Sequence, residues 1–281
     1  MPVIILLIFL AIVLALQILT GDFPVCFFAF PLNLILALLW YGVMWWLFKD
    51  RRKSIVTRFM LSGPATFISI GSFLILALVV GCTGIRSLVY TWPSVAVMLF
   101  FQTVLFFVIM RGWRMPTATG ARLGAVRWRF LLNHAGLLLA VASAFWGAPD
   151  SETLRVMAIR DVAVKEAYRK DGTSVWLLYD LTLRAFDVET YDDGTPSMYK
   201  AEVSVGDDEV MLQVNSPYSR SLSEDIYLVG YDAAEGTDSG YCILEVVREP
   251  WKYAAVAGTI MMITGAVLMF IGGPARRNKE D

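Results

Sequence analysis

Arg127–Glu152 reads RWRFLLNHAGLLLAVASAFWGAPDSE. Two arginines bracket a tryptophan, an apolar run from Phe130 to Trp146 follows, and the run breaks at Gly147, Pro149 and Asp150. At about 1.5 Å per residue, a helical run of this length covers most of a hydrocarbon core about 30 Å thick. Arginines at one end and acids at the other give the run a direction, because basic residues stay on the cytoplasmic side. The stretch is therefore read as a transmembrane helix that leaves the cytoplasm at Arg129 and delivers the chain into an acidic region outside.

Working outward, five more apolar runs have matching length. They are 3–19, 31–48, 59–81 and 88–110 before the quoted helix (130–146), and 253–272 after it. The first has no basic residue before Val3 and no A-x-A site after it, so it reads as a span rather than a signal peptide. Lys49, Arg51, Arg52, Lys53 and Arg58 follow the second run. Arg111, Arg114, Arg122, Arg127 and Arg129 lie between the fourth and fifth, and Arg276, Arg277 and Lys279 follow the sixth. The loops 20–30 and 82–87 hold one basic residue, Arg86. This alternation predicts a multi-pass membrane protein with both termini in the cytoplasm. Trp45, Trp46, Trp113 and Trp128 fall near the inner ends, and Trp92, Trp146 and Trp251 near the outer ends, as aromatic belts do.

Charge separates the parts. Pro149–Pro250 holds 21 acidic and 9 basic residues, a balance of −12, and the remainder holds 4 and 15, a balance of +11. The organisation predicted is five helices in 1–148, an extracytoplasmic β-domain in 149–250, and the last helix with its tail in 251–281. Within the β-domain, Val175, Leu177, Tyr179, Leu181 and Leu183 alternate with polar residues, and the phase flips at Ala185–Phe186, which predicts a β-bulge. Asp193-Gly194 marks a turn, and so does Gly206-Asp207-Asp208. Tyr199–Val205, Val210–Val214, Asp225–Tyr231 and Tyr241–Val247 read as further strands. Together they predict an antiparallel sandwich or small barrel. No catalytic set is visible in this domain, which has no histidine. Its cysteine, Cys242, sits inside a predicted strand and reads as a buried small hydrophobe. Cys26 and Cys82 share the outer side, but no spacing demands a disulfide.

His134 is the only histidine in the chain. It lies beside a small-residue face of Gly136, Ala140 and Ala144, suited to close helix packing. Its own stripe is Leu137, Leu138, Val141 and Phe145. An ionisable ring on such a stripe needs a partner. Two readings stand: a structural imidazole bonded to a backbone carbonyl of a neighbouring helix, or a metal or cofactor ligand. Haem iron takes axial ligands from His, Met or Cys. One histidine cannot complete a bis-histidine pair, so a second ligand would come from a partner or from Met44, Met60 or Met110. Arg127 and Arg129, just cytoplasmic of His134, match carboxylates such as haem propionates, or else anchor the helix end among headgroups.

The segment Arg129-Phe130-Leu131-Leu132-Asn133-His134-Ala135-Gly136-Leu137 resembles a core helix of the ResB (CcsB) proteins of System II cytochrome c biogenesis. The resemblance continues through Phe186–Glu189, Tyr191–Pro196, Val214-Asn215-Ser216-Pro217, Gly230-Tyr231-Asp232 and Leu244–Trp251, and covers roughly Phe59 to the end. Phe30-Pro31-Leu32-Asn33 and the first two helices resemble an N-terminal addition seen in some members. The resemblance implies a haem-handling subunit that works with a CcsA-type partner bearing a WWD segment. Together they carry haem b across the membrane and attach it to apocytochrome c. It implies that His134 is an axial haem ligand and that the counterpart ligand lies on the partner. This chain has no WWD segment and is not expected to be the ligase alone; no nucleic-acid partner is expected. The competing class is a membrane-tethered receptor or scaffold whose β-domain binds a protein. The basic-loop alternation makes a direct forecast. Cysteines introduced within Ser151–Glu249 should be labelled from outside intact cells, whereas cysteines replacing Lys53, Arg122 or Arg277 should not; labelling at any of those three overturns the orientation.

Overall fold

The computed structural model of the chain describes residues 2–114, 128–192, 196–232 and 239–272. Arg127, Arg122 and the Asp193-Gly194 turn lie outside them. The chain divides into two compact units, the helices on either side (up to Pro149 and from Trp251) and Asp150–Pro250.

The helical unit contains α1 (Pro2–Thr20), α2 (Leu32–Asp50), α3 (Ile55–Met60), α4 (Gly63–Thr83), α5 (Trp92–Arg114), α6 (Trp128–Gly147) and α7 (Lys252–Gly272). Helices α2, α4, α5, α6 and α7 are each long and apolar enough to cross a membrane. α1 is an apolar helix of 19 residues. It is tied to the start of α5, where Gln17 Oε1 accepts the Trp92 backbone N–H at 2.8 Å and the Trp92 indole donates to Thr20 Oγ1 at 2.8 Å.

Two helix starts differ from the apolar runs. The run 59–81 is not one helix. Met60 ends α3, and Ser62 caps α4 by accepting the Ala65 N–H at 3.3 Å. Pro64 in the first turn of α4 has no N–H to continue the earlier helix, so the chain must restart there. The run 88–110 begins four residues late. Residues Arg86–Tyr90 form a 3₁₀ turn, and α5 starts at Trp92, with Pro93 in its first turn.

The other unit holds eight antiparallel strands. They are β1 (Glu152–Ile159), β2 (Val164–Tyr168), β3 (Ser174–Thr190), β4 (Pro196–Val205), β5 (Asp208–Gln213), β6 (Tyr218–Ser221), β7 (Glu224–Tyr231) and β8 (Tyr241–Arg248). They form one sheet in the order β5-β4-β3-β2-β1-β8-β7-β6. The register of β3 on β4 shifts between Leu183 and Ala185, at the predicted bulge. Gly206, at φ 60°, opens the β4–β5 hairpin as the first of two loop residues, the position a type II′ turn reserves for glycine. Strands β1, β2 and β6 were not legible. In β1 the outward Met157 and Ile159 are apolar and mask the alternation. β2 is Val-Lys-Glu-Ala-Tyr, whose Lys, Glu and Ala are helix-forming residues.

The two edge strands, β5 and β6, are neighbours in sequence, joined by residues 214–217. That link reaches at most about 17 Å, whereas a flat eight-stranded sheet would separate its edges by about 34 Å. The sheet therefore curls until its edges approach, and the link itself begins with a tight turn in which Ser216 N–H donates to the Gln213 carbonyl at 3.1 Å. Leu154, Val156, Leu181, Leu183, Val203, Leu212, Ile226, Leu244 and Val246 fill the interior. Cys242 is buried among them, and burial pushes its thiol up to about 12, so it is inert at neutral pH.

Glu224 is the one charged side chain taken deep into this unit among the described residues. Tyr179 Oη donates to its Oε1 at 2.8 Å, Arg220 approaches the same oxygen at 3.3 Å, and Arg248 Nε donates to Oε2 at 2.6 Å. Arg248 also reaches Glu152 at 3.2 Å, and Arg169 reaches Glu152 at 2.7 Å. Burial works to raise the Glu224 carboxyl, but hydrogen bonds from Arg248 and Tyr179 and the two arginine charges outweigh it and hold the group below its ordinary 4.5. A lowered folded pKa means that the unfolded chain binds the extra proton, so the contribution is complete above the ordinary glutamate range and fades as pH falls through the folded value. Glu224→Gln should destabilise this unit by about 2 kcal/mol at pH 7, because it leaves Arg248 partly buried and undercompensated. The difference from wild type should shrink toward pH 3. Scanning calorimetry of the full chain across that range checks it, and a penalty that does not change with pH overturns the assignment.

Candidate functional site

Helix α6 packs on two sides by different means. One side is built of small residues. A Cβ placed on Gly136 would lie 2.6 Å from the Gly258 carbonyl oxygen of α7, and one on Gly258 would lie 2.6 Å from the Ala140 nitrogen. The Gly136 and Ala140 positions of the small face thus meet α7 backbone to backbone. Gly265, one further along α7, is closed off by Asn133 in the same way. On the other side, Leu131, Ala135, Leu137, Leu138 and Val141 pack against Phe101, Leu105 and Ile109 of α5, with Phe73 of α4.

His134 stands on the second side, half-buried. Its Nδ1 lies 2.9 Å from the backbone oxygen of Phe130, one turn earlier on the same helix. A carbonyl oxygen only accepts, so Nδ1 carries a proton, and of the two neutral tautomers this geometry selects the one in which Nε2 is the lone pair. Among the described residues no hydrogen-bond partner meets Nε2. The carbonyl bond expected of a structural histidine does exist, but it comes from its own helix and occupies one nitrogen only. The Phe130 ring stacks on the imidazole with centroids 4.1 Å apart.

Of the arginines singled out, Arg129 lies in the first turn of α6, and its carbonyl accepts Asn133 Nδ2 at 2.7 Å. The three methionines proposed as second ligands are not gathered at His134. Met44, Met60 and Met110 share a separate cluster around Phe48 and Phe107, on the side of α5 toward α2 and α3. Among the described residues no group of three or more His, Cys, Asp or Glu could hold a metal ion. Cys26 and Cys82 are free and exposed.

Two features escaped the sequence. The first is a polar network inside the helical unit. Tyr41 Oη and the Trp146 indole both donate to Gln102 Oε1, at 2.7 and 3.2 Å, while Gln102 Nε2 donates to the Met98 carbonyl at 3.2 Å. Asn33 Nδ2 donates to the Trp146 carbonyl at 2.8 Å. Asn33 and Gln102 are fully buried, and each is a polar residue inside an apolar run, which was the available signal. The second is a cavity of about 660 Å³ whose wall includes Trp40, Phe73, Val80, Tyr90, Met98 and Phe145. Its α6 contribution, Ala144–Trp146, comes ten to twelve residues after His134, about 15–18 Å along the helix. His134 does not line it.

Residues 114–242 match the ResB-like family. The match contains α6 with His134 and runs through the sheet into β8, a narrower span than the resemblance traced from Phe59 onward. No curated protein matches the chain. Among solved structures, a cytochrome c heme lyase, CcmF, aligns with 14% identity and a TM-score of 0.38, covering 70% of this chain and 33% of that one. The chain thus spans about a third of that protein's length.

The α6–α7 contact yields a paired test. Gly136→Ala should lower the apparent melting temperature of the detergent-solubilised protein, because the added methyl meets α7 backbone that cannot give way. Gly42→Ala, on α2 where a Cβ meets nothing within 4 Å, should leave it unchanged or raise it, since alanine is the better helix former by about 1 kcal/mol. Equal effects at both positions would mean that close approach does not hold α6 to α7.

Proposed function

We propose that this chain is a haem-handling subunit of a System II cytochrome c synthase, working with a CcsA-type membrane partner to move haem across the bacterial cytoplasmic membrane and attach it to apocytochrome c. The single observation that carries the proposal is the geometry of His134: Nδ1 lies on the Phe130 carbonyl and Nε2 meets no hydrogen-bond partner among the described residues. That arrangement suits a metal-bound imidazole, whose second nitrogen ordinarily donates to a carbonyl or carboxylate. The family match over residues 114–242 supports the same reading.

The donor set fits haem b bound through one axial position from this chain. Haem b supplies an iron with two axial positions and two propionates. His134 presents the one imidazole, Arg127 and Arg129 are the cations for the propionates, and a partner subunit contributes the second axial ligand, because Met44, Met60 and Met110 pack elsewhere. In the membrane six helices span, α1 included, with both termini cytoplasmic and Asp150–Pro250 outside. His134 then sits about 7 to 8 Å inside the cytoplasmic end of α6. The chain has no ligase role alone; its buried Tyr179–Glu224–Arg248 set is fully engaged in holding the sheet. A second reading, a tethered receptor that grips a partner through the β-domain, draws on Trp176 and Leu178, which are 72% and 93% exposed on β3.

His134→Ala, co-expressed with the partner, should lower the Soret absorbance per protein and the yield of mature cytochrome c, and free imidazole should restore part of both by occupying the vacated axial position. His134→Cys should retain haem with a shifted Soret maximum. A receptor with a structural histidine behaves otherwise: His134→Ala lowers protein level with no spectral change at fixed protein. Normal haem content and normal maturation in His134→Ala overturn the ligand assignment.

A further inference from the structure

We infer that Phe130 is a positioning residue for His134, and that Gly112 of α5 is the space that lets it act. The inference rests on the reading of His134 as a haem ligand. An imidazole on a helix has two free torsions and two neutral tautomers, so presenting Nε2 in one direction requires restraints on both. Phe130 supplies them together. Its backbone oxygen, 2.9 Å from Nδ1, selects the Nδ1–H tautomer and fixes one edge of the ring. Its side chain, with centroids 4.1 Å apart and planes 29° from parallel, covers one face of the imidazole. The four-residue spacing brings both groups to the same side of the helix.

The stack needs a backstop, and α5 provides it. A Cβ on Gly112 would overlap the Phe130 ring, the Cε1, Cζ and Cδ1 atoms all lying within its contact distance. The Phe130 ring therefore lies directly on the α5 backbone at Gly112 and is held between that backbone and His134. Any side chain at 112 drives the ring toward the imidazole or out of the stack. Gly112 reaches His134 through Phe130, which makes the arrangement a relay: α5 backbone, phenyl ring, imidazole, Nε2. Supporting groups of this kind change metal affinity by about ten- to a hundred-fold when lost.

Because His134 is the only histidine, the full chain labelled with [15N]histidine contains a single imidazole, whose tautomer is readable by NMR without haem at pH 8, above the ordinary imidazole pKa of about 6.5. Wild type should show the Nδ1–H form. Phe130→Leu, which keeps apolar bulk but removes the stack, and Gly112→Ala should each give a mixture with Nε2–H. Each should also lower haem retained with the partner about tenfold. In the Phe130→Ala background Gly112→Ala should add nothing further, because the ring it collides with is gone. Gly71→Ala, where a Cβ meets open space, should match wild type throughout. If haem retention depends on His134 but neither tautomer nor retention responds to Phe130 or Gly112, the relay is overturned and the ligand reading stands. If the tautomer shifts while haem retention ignores all three residues, His134 included, the relay stands and the ligand reading falls. Additive losses in the Gly112→Ala/Phe130→Ala double variant overturn the relay through Phe130.

Discussion

The approach of α6 to α7 is the contact on which the rest depends. In a membrane, helices gain nothing from hiding apolar side chains from one another, because lipid is equally apolar. Association then rests on how closely backbones meet, and Gly136, Ala140, Gly258 and Gly265 remove the side chains that would keep these two apart. The same two helices carry the chain into and out of the β-domain. Within that domain the first and last strands, β1 and β8, pair from Glu152↔Arg248 to Ile159↔Tyr241. Each unit thus brings its own two chain ends side by side, and a hundred-residue insertion between consecutive helices places no strain on either.

Buried polar groups in the two units are mostly paired, Trp40 Nε1 being one that finds no hydrogen-bond partner among the described residues. Gln102 satisfies its amide with Tyr41, Trp146 and the Met98 carbonyl, and Asn33 closes on the Trp146 carbonyl, so α2, α5 and α6 are joined by bonds that have no competitor in an apolar surrounding. Glu224 is likewise surrounded by Tyr179, Arg220 and Arg248. His134, half-buried, is paired through one nitrogen among the described residues. It satisfies one nitrogen and leaves the other as an acceptor, which in an apolar setting is costly unless something else completes it.

The curled sheet explains how a domain of modest size can carry a strongly acidic surface. Its interior is mostly apolar among the described residues, with Thr182, Ser239 and the Glu224 network the buried polar groups, and its acids lie mostly in turns and on outward faces where water screens them. The arginines that matter structurally, Arg248, Arg220 and Arg169, gather on two glutamates, Glu224 and Glu152. What remains outside is net negative.

The amino-acid sequence by itself determined the helical spans α2, α6 and α7 to within two residues at either end, because an apolar run and its flanking charges are properties of contiguous residues. It determined the bulge in β3, because a phase flip in a period-two pattern is local, and it singled out His134, because one ionisable ring in an apolar run needs no structure to be noticed. Tertiary structure decided the rest. The break at Ser62 and Pro64 overrode an unbroken apolar run, since hydropathy does not register a missing N–H. Strand order could not be read, because β5 and β6 become opposite edges of one sheet only when six other strands lie between them. The tautomer of His134 was undecidable until a particular carbonyl lay 2.9 Å from a particular nitrogen. The significance of Gly112 was hidden most completely: a glycine near a helix end means little until a phenyl ring from another helix fills the volume its side chain would have taken, and that is a property of space rather than of sequence.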